Sequence, residues 1–239
     1  MNKPLVSVII PAFNEEKYLD VCLSFLKKQT YKNVEIIVID NNSTDKTAEI
    51  ARKAGVVLVS EMVQGMTYSR ETGFKKAKGE IIARTDADTR PPNDWIEKII
   101  EEFDKDREII SVTGPANFYD LPNFISFLWH FTSLSVLIID GLIMGHFPLN
   151  GPNFAVKKTA LADLHPHMDN KQVHEDMDLA CHLAPKGKIG LMNVTMPCSA
   201  RRLKRGFYST LFEYTVRGFR TIFLHHPLLS WNHKATYST

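Results

Sequence analysis

Cysteine is scarce and unpatterned. Cys22, Cys181 and Cys198 are the only three in 239 residues, and their spacing fits neither a disulfide framework nor a zinc ligand set. A reducing, cytosolic setting suits such a chain. Glycine-rich phosphate loops are also missing: Gln64-Gly65-Met66 and Gly73 form neither a dinucleotide fingerprint nor a P-loop, so Gly73 is expected to serve close helix packing instead. A net charge of only +2 gives no support to wholesale nucleic-acid binding. No internal repeat or low-complexity linker interrupts the chain, and a single domain is the economical reading. The N-terminal apolar run stops at Pro11 without a small-residue cleavage pattern, so it reads as a strand and not as a signal peptide.

What is present is a rhythm. Leu5 to Pro11, Val34 to Asp40, Val56 to Ser60, Glu80 to Thr85 and Ile109 to Gly114 are short Val- and Ile-rich runs bounded by polar residues or glycine, the pattern of buried strands. Between them lie helical spacings: Leu19, Cys22, Leu23 and Leu26, then Ile96, Ile99, Ile100 and Phe103. Asn14 is the expected cap of the first helix, with Glu15 and Glu16 in its opening turn. Gly55 and Gly79 are expected to close helices. Strands alternating with helices predict an α/β fold, a mostly parallel sheet with helices on both faces.

Asp86 and Asp88 leave the end of the fourth strand one residue apart. Alternation in a strand puts i and i+2 on one side, at the carboxyl edge where open α/β sheets bind ligands. Two hard carboxylates there suit Mn2+ or Mg2+, and their mutual repulsion favours a bound partner. A metal-bound phosphate is the expected cargo. Asp176 lies on one helical face with Leu179, Ala180 and Leu183, at the start of a buried stripe where it can point into a cleft, whereas Glu175 groups with Asp178 and His182.

The stretches Val6-Ser7-Val8-Ile9-Ile10-Pro11-Ala12-Phe13-Asn14-Glu15, Val34 to Asp45 and Asp86-Ala87-Asp88, in this order and spacing, resemble glycosyltransferase family 2, whose members have the GT-A fold. The likeness is close over residues 5 to 115 and looser from Gly151 to Arg202. It implies inverting transfer of a sugar from a nucleotide diphosphate sugar, UDP favoured over GDP, to a saccharide or lipid-linked hydroxyl. Pro11, Ala12, Asn14 and Glu15 follow the first strand, so they are expected to border the nucleotide in the same crevice as Asp40 and the aspartate pair; by the resemblance Asp40 and Arg70 hold the base, Asp86 reaches the ribose and joins Asp88 at the metal, and Glu175-Asp176 match the paired acids whose second member is the general base. Gly151 and Asn153 match positions near donor sugar or acceptor. Arg201 and Arg202 would add to the diphosphate site, since guanidinium forks match phosphate oxygens.

Each residue also has a plainer reading. Asp40 can cap the Asn41-Asn42-Ser43 turn, Arg70 can pair with Glu71, Glu175 and Asp176 can stabilise a helix N-terminus, Gly151 and Asn153 can form a turn, and Arg201-Arg202 can end a basic surface helix. His225, His226 and His233 stand as candidates for a third metal ligand. Two rival functions remain at this point: a haloacid dehalogenase-like phosphatase with Asp86 as nucleophile, and a non-catalytic nucleotide-sugar-binding protein.

The organisation expected is one domain over 1–239: a nucleotide-sugar half (1–115), an apolar insert (116–149), an acceptor half (150–206) and a basic helix and tail (207–239). Phe124 to Phe147 carries Asp140 as its only formal charge, and its uncharged core is just short of a bilayer span. It therefore reads as a helical insert. Residues 199–239 hold seven Lys and Arg against Glu213 alone. Together these features suggest peripheral contact at the inner face of a membrane; ordinary core or a homodimer contact is the alternative.

Overall fold

The computed structural model describes residues 3–164, 166 and 174–225. The central sheet has seven strands in the order β3-β2-β1-β4-β7-β5-β8. These are β1 (Val6–Ala12), β2 (Val34–Asp40), β3 (Val57–Ser60), β4 (Ile81–Arg84), β5 (Ile109–Thr113), β7 (Phe154–Lys157) and β8 (Lys188–Leu191). All neighbours run parallel except β7, which is antiparallel to both β4 and β5. Two three-residue strands, β6 (Ala116–Phe118) and β9 (Met196–Cys198), pair separately in parallel. The shortness of β6 hides it from any periodicity reading.

The helices are α1 (Leu19–Leu26), α2 (Thr47–Lys53), α3 (Met66–Lys76), α4 (Trp95–Lys105), α5 (Asn123–Met144), α6 (Glu175–Leu183), α7 (Arg201–Arg205) and α8 (Phe207–His225). Every residue of β1 is buried, because its Val- and Ile-rich backbone is the middle of the sheet with apolar clusters on both faces. One cluster joins β1 to α1 and α4 through Leu19, Leu23, Trp95 and Ile99; the other joins Ile9 and Ile37 to α3 and α6 through Phe74, Leu179 and Leu183. Gly73 is pressed between them: a Cβ there would sit 3.0 Å from Ile39 and 3.1 Å from Ile9.

Two helix-end expectations need correction. α1 begins at Leu19, four residues beyond the expected start, and Asn14 does not cap it; Asn14 sits at φ +54° and ties two loops together. Gly55 does follow α2 in the left-handed conformation, at φ +71°. Gly79 does not close α3. Its N–H donates to Ser7 Oγ at 2.7 Å, and a Cβ would lie 2.6 Å from the Leu5 carbonyl, so close passage over β1 requires the glycine.

The apolar segment is a helix, as expected, but not ordinary core. α5 runs for 22 residues with a mean hydropathy of 1.7 in its most apolar window, only 11% of which is buried, so by length and composition it is also long enough to cross a membrane. Phe124, Phe127, Phe131, Ile139 and Leu142 all face outward.

Candidate active site

The carboxyl edge of the sheet gathers the acidic residues through loops that are stitched to one another. Ala12 and Asp40 are register partners on β1 and β2. Beyond them, Asn14 N–H donates to Ser43 Oγ at 3.0 Å, Glu15 N–H to Thr47 Oγ1 at 2.7 Å, and Thr44 N–H to Asn14 Oδ1 at 2.8 Å. Polar residues after β2 therefore hold the Asn14-Glu15 turn in place. Asp40 is buried and accepts from Ser43 N–H at 3.1 Å, so the turn-capping role is real whatever else the carboxylate touches. Pro11 and Ala12 are the buried last residues of β1.

Glu15, Arg201 and Asp88 form one ionic group. The Arg201 guanidinium forks onto the Glu15 carboxylate, with Nη1 to Oε2 at 2.7 Å, and its Nε lies 2.8 Å from Asp88 Oδ2. It also stacks over Tyr18, 4.6 Å from the ring centroid. Burial and the neighbouring Asp86 push the Asp88 carboxyl up to about 6 against the pull of Arg201. Burial likewise raises Glu15, again opposed by Arg201. Asp120 fixes the start of α7, accepting from Ala200 N–H at 2.7 Å, Ser199 Oγ at 2.9 Å and Lys204 Nζ at 2.9 Å. Arg202, by contrast, is exposed on the helix surface. A hollow of about 240 Å³ opens alongside, lined by Lys17, Tyr18, Asp88, Arg90 and Tyr119.

The second group is built around Arg84, the last residue of β4. Its side chain is 2% exposed, and its guanidinium donates both to Asp86 Oδ1 at 3.2 Å and, in a short contact, to Asp176 Oδ1. Arg70, fully buried on α3, donates to the Glu175 carbonyl at 2.8 Å, lies 3.8 Å from Asp176 and pairs with Glu71 at 3.2 Å. The expected pairing with Glu71 is present, but it is not solvated. The guanidinium underpins the α6 acids, so Arg70 acts here as their support. Gly151 completes the wall, because a Cβ there would lie 2.6 Å from Asp176 Oδ2. Burial raises the Asp176 carboxyl, Arg84 opposing and Glu175 adding to the rise. Burial would also raise Glu175, yet His174, Arg84 and Arg217 outweigh it and bring that carboxyl down to about 2. Arg217 on α8 supplies the direct contact, at 2.6 Å.

Asn153 does not fit the sugar-contacting expectation. It is fully buried, its Oδ1 accepts from Trp95 Nε1 at 2.9 Å, and its amide donates to the carbonyls of Pro115 and Val194 at 2.9 and 2.8 Å. With both ends of the amide spent on protein partners, Asn153 locks the loop that presents Gly151. Of the three candidate histidines, His225 lies within the described residues, where it meets Asp178 and not the Asp86-Asp88 pair; His226 and His233 lie outside them.

Sequence reasoning missed Arg84 as a functional residue. A charged side chain inside an otherwise apolar run ending in two acids was the available signal, since a buried arginine needs carboxylate partners. The donor set of Asp86 and Asp88, two oxygen ligands at 26% and 11% side-chain exposure, is chemically fit for Mn2+ or Mg2+.

The model of the family described as glycosyl transferase family 2 matches residues 7–164. The chain is 38% identical over 103 residues to the glycosyltransferase AglE of Haloferax volcanii, covering 40% of this chain and 34% of that protein. It is 35% identical over 127 residues to an uncharacterized glycosyltransferase of Haemophilus influenzae, covering 51% of this chain and 50% of the other. The chain thus aligns with about a third to a half of the length of these relatives.

Among solved structures, it resembles the mannosyltransferase PcManGT of Pyrobaculum calidifontis in complex with GDP-Man and Mn2+, with a TM-score of 0.70, 23% identity, and 89% of this chain and 61% of that one covered. It also resembles glucosyl-3-phosphoglycerate synthase of Mycobacterium tuberculosis in complex with Mn2+, UDP and glucosyl-3-phosphoglycerate, with a TM-score of 0.66, 19% identity, and coverage of 93% and 80%. These likenesses establish the GT-A type of fold. The family match also removes the haloacid dehalogenase-like alternative. With its aspartate pair and all of its first two motifs but Val6 falling in order inside the matched segment, the chain belongs to glycosyl transferase family 2.

Proposed function

We propose that this chain transfers a sugar, with inversion, from a nucleotide diphosphate sugar to a hydroxyl acceptor, using Asp176 as general base. The observation that carries this reading is Arg84, whose one guanidinium holds Asp86 from the donor side and Asp176 from the acceptor side. Two acidic clusters 90 residues apart in sequence thereby share one cleft. Asp86 and Asp88 would hold Mn2+ or Mg2+, which when bound supplies positive charge against the departing diphosphate. Arg201 is placed to add a fixed cation beside Asp88, and its hold on Glu15 keeps the nucleotide-side loop closed on α7. Burial raises Asp176 toward the basicity a proton acceptor needs. Its carboxylate takes the acceptor hydroxyl proton as that oxygen attacks the anomeric carbon opposite the leaving group, and a single displacement inverts.

UDP is proposed ahead of GDP as the donor nucleotide; Asp40 and the Asn14-Glu15 turn border its site. The acceptor is proposed to be a saccharide or lipid-linked alcohol, reached from the cytosolic face of a membrane on which α5 rests. The outward aromatics of α5 and the exposed Phe212, Phe219 and Phe223 on basic α8 support that placement. Transfer of labelled sugar from UDP- and GDP-sugars to an alcohol acceptor, with and without Mn2+, tests the activity. Nucleotide binding without transfer under any combination would leave the non-catalytic reading in its place. Absence of co-sedimentation with anionic liposomes at low salt would end the membrane placement.

A further inference from the structure

α6 carries a second constellation, turned away from Asp176. Asp178 lies two residues further on, about 200° around the helix, and its carboxylate is fully buried. Its Oδ1 lies 3.6 Å from His182 Nε2, one helical turn on, and 2.8 Å from His225 Nε2 on α8. The two imidazoles meet edge to face with centroids 5.1 Å apart, and one ligand atom from each of the three residues falls within 4.8 Å of the others. An apolar cluster of Met177 and Cys181 on α6, Ile222 on α8 and Met144 at the end of α5 packs where these helices meet.

We propose that Asp178, His182 and His225 form a binding site for a divalent transition-metal ion of the zinc class, chemically distinct from the all-oxygen pair Asp86-Asp88. Two imidazoles and one carboxylate are the donor set that selects such ions over Mg2+. Tetrahedral zinc with bonds near 2.0–2.1 Å needs ligand atoms about 3.4 Å apart, so the separations found here require only small side-chain rotations. Asp178 and His182 are spaced i, i+4, which puts both on one face of α6, and His225 closes the site from the last residue of α8.

The ion would fasten α8 across α6. The same helix already reaches the start of α6, where Arg217 grips Glu175 and Thr221 Oγ1 accepts from His174 N–H at 2.8 Å. Asp176 sits between these two anchor points. The ion is thus assigned a positioning role, holding the helix that carries the proposed base.

The test uses the full chain, stripped with chelator and kept in excess Mg2+, then titrated with Zn2+ against a chromophoric competitor and separately with Co2+. The expected result is one equivalent of bound Zn2+, a rise in thermal midpoint on Zn2+ addition, and the visible absorption of a low-coordinate nitrogen-oxygen Co2+ centre. His182→Gln and His225→Gln should each weaken Zn2+ binding by at least about 100-fold, whereas Asp86→Asn with Asp88→Asn should leave it intact. Absence of Zn2+ binding by the wild-type chain would overturn the site even if the histidine variants failed to fold. Equal affinity in His182→Gln and wild type, or loss confined to the Asp86-Asp88 variant, would do the same. None of these readouts depends on sugar transfer, so the site stands or falls apart from the proposed activity.

Discussion

The loops after β1 and β2 and the helix pair α6–α8 furnish the two sides of one cleft by different means. On the loop side, short polar residues bond to backbone: Asn14, Ser43 and Thr47 each accept a main-chain N–H on a side-chain oxygen, from Thr44, Asn14 and Glu15 in turn. On the helix side, long charged side chains grip one another across elements far apart in sequence, as Arg84 does with Asp176 and Arg217 with Glu175. The first arrangement rests on single neutral hydrogen bonds between two neighbouring loops and is tolerant of loss. The second is buried and not tolerant, because an unpaired charge in the interior costs several kcal/mol where an exposed hydrogen bond costs about one.

Catalysis should show the contrast most sharply. Asp176→Asn is expected to lower sugar transfer by about 10²–10⁴-fold while nucleotide binding, followed by thermal shift, stays near wild type; preserved turnover would detach the helix side from the chemistry. Arg84→Met should destabilise the fold by about 3–5 kcal/mol in urea unfolding, since it removes the direct partner of buried Asp176 and leaves it only the more distant Arg70. A loss below about 1 kcal/mol would mean that the guanidinium is not the clasp described.

Acid sharpens the same difference. Glu175 is held at about 2 in the fold against an ordinary 4.5. A carboxyl whose folded pKa is depressed contributes stability that is complete above the unfolded value and disappears as pH falls through the folded one. Wild type should therefore lose on the order of 3 kcal/mol relative to Glu175→Gln between pH about 4.5 and 2, and a flat difference curve would remove the combined hold of His174, Arg84 and Arg217 on Glu175. Asp88 and Asp176, whose carboxyls are raised, act with the opposite sign, and because Glu175 adds to the rise at Asp176 the difference between the two proteins reports the pair. The loop side should give the smallest effect. Asn14→Ala removes the acceptor of two hydrogen bonds from Thr44 and places alanine at φ +54°, for about 1–2 kcal/mol. Asn14→Gly should recover the conformational part, and equal losses in the two variants would show that the loop stitch alone matters.

Much of the donor side was legible in the chain because its signals are local. Alternation places Asp86 with Asp88, apolar spacing selects the inner face of α1, and the polar run Asn41 to Asp45 announces a turn at a strand end. Helix starts were less legible: Asn14 has the chemistry of a cap, yet its side chain is taken by Thr44, and α1 begins only at Leu19. The partners of charged residues were not legible at all. Arg70 pairs with its neighbour Glu71 as expected, but its burial beneath Glu175 and Asp176 depends on contacts more than 100 residues away.

The sequence by itself determined the strand-helix alternation, the family motifs and the types of acid at the sheet edge, because each rests on spacing within one element. Only the tertiary structure decided that Arg84 joins the two acidic clusters, that Asn153 is consumed by the loop it supports, and that Asp178 faces α8 while Asp176 meets Arg84. Those outcomes turn on which elements pack together, and a buried charge takes its meaning from the partner that packing brings to it.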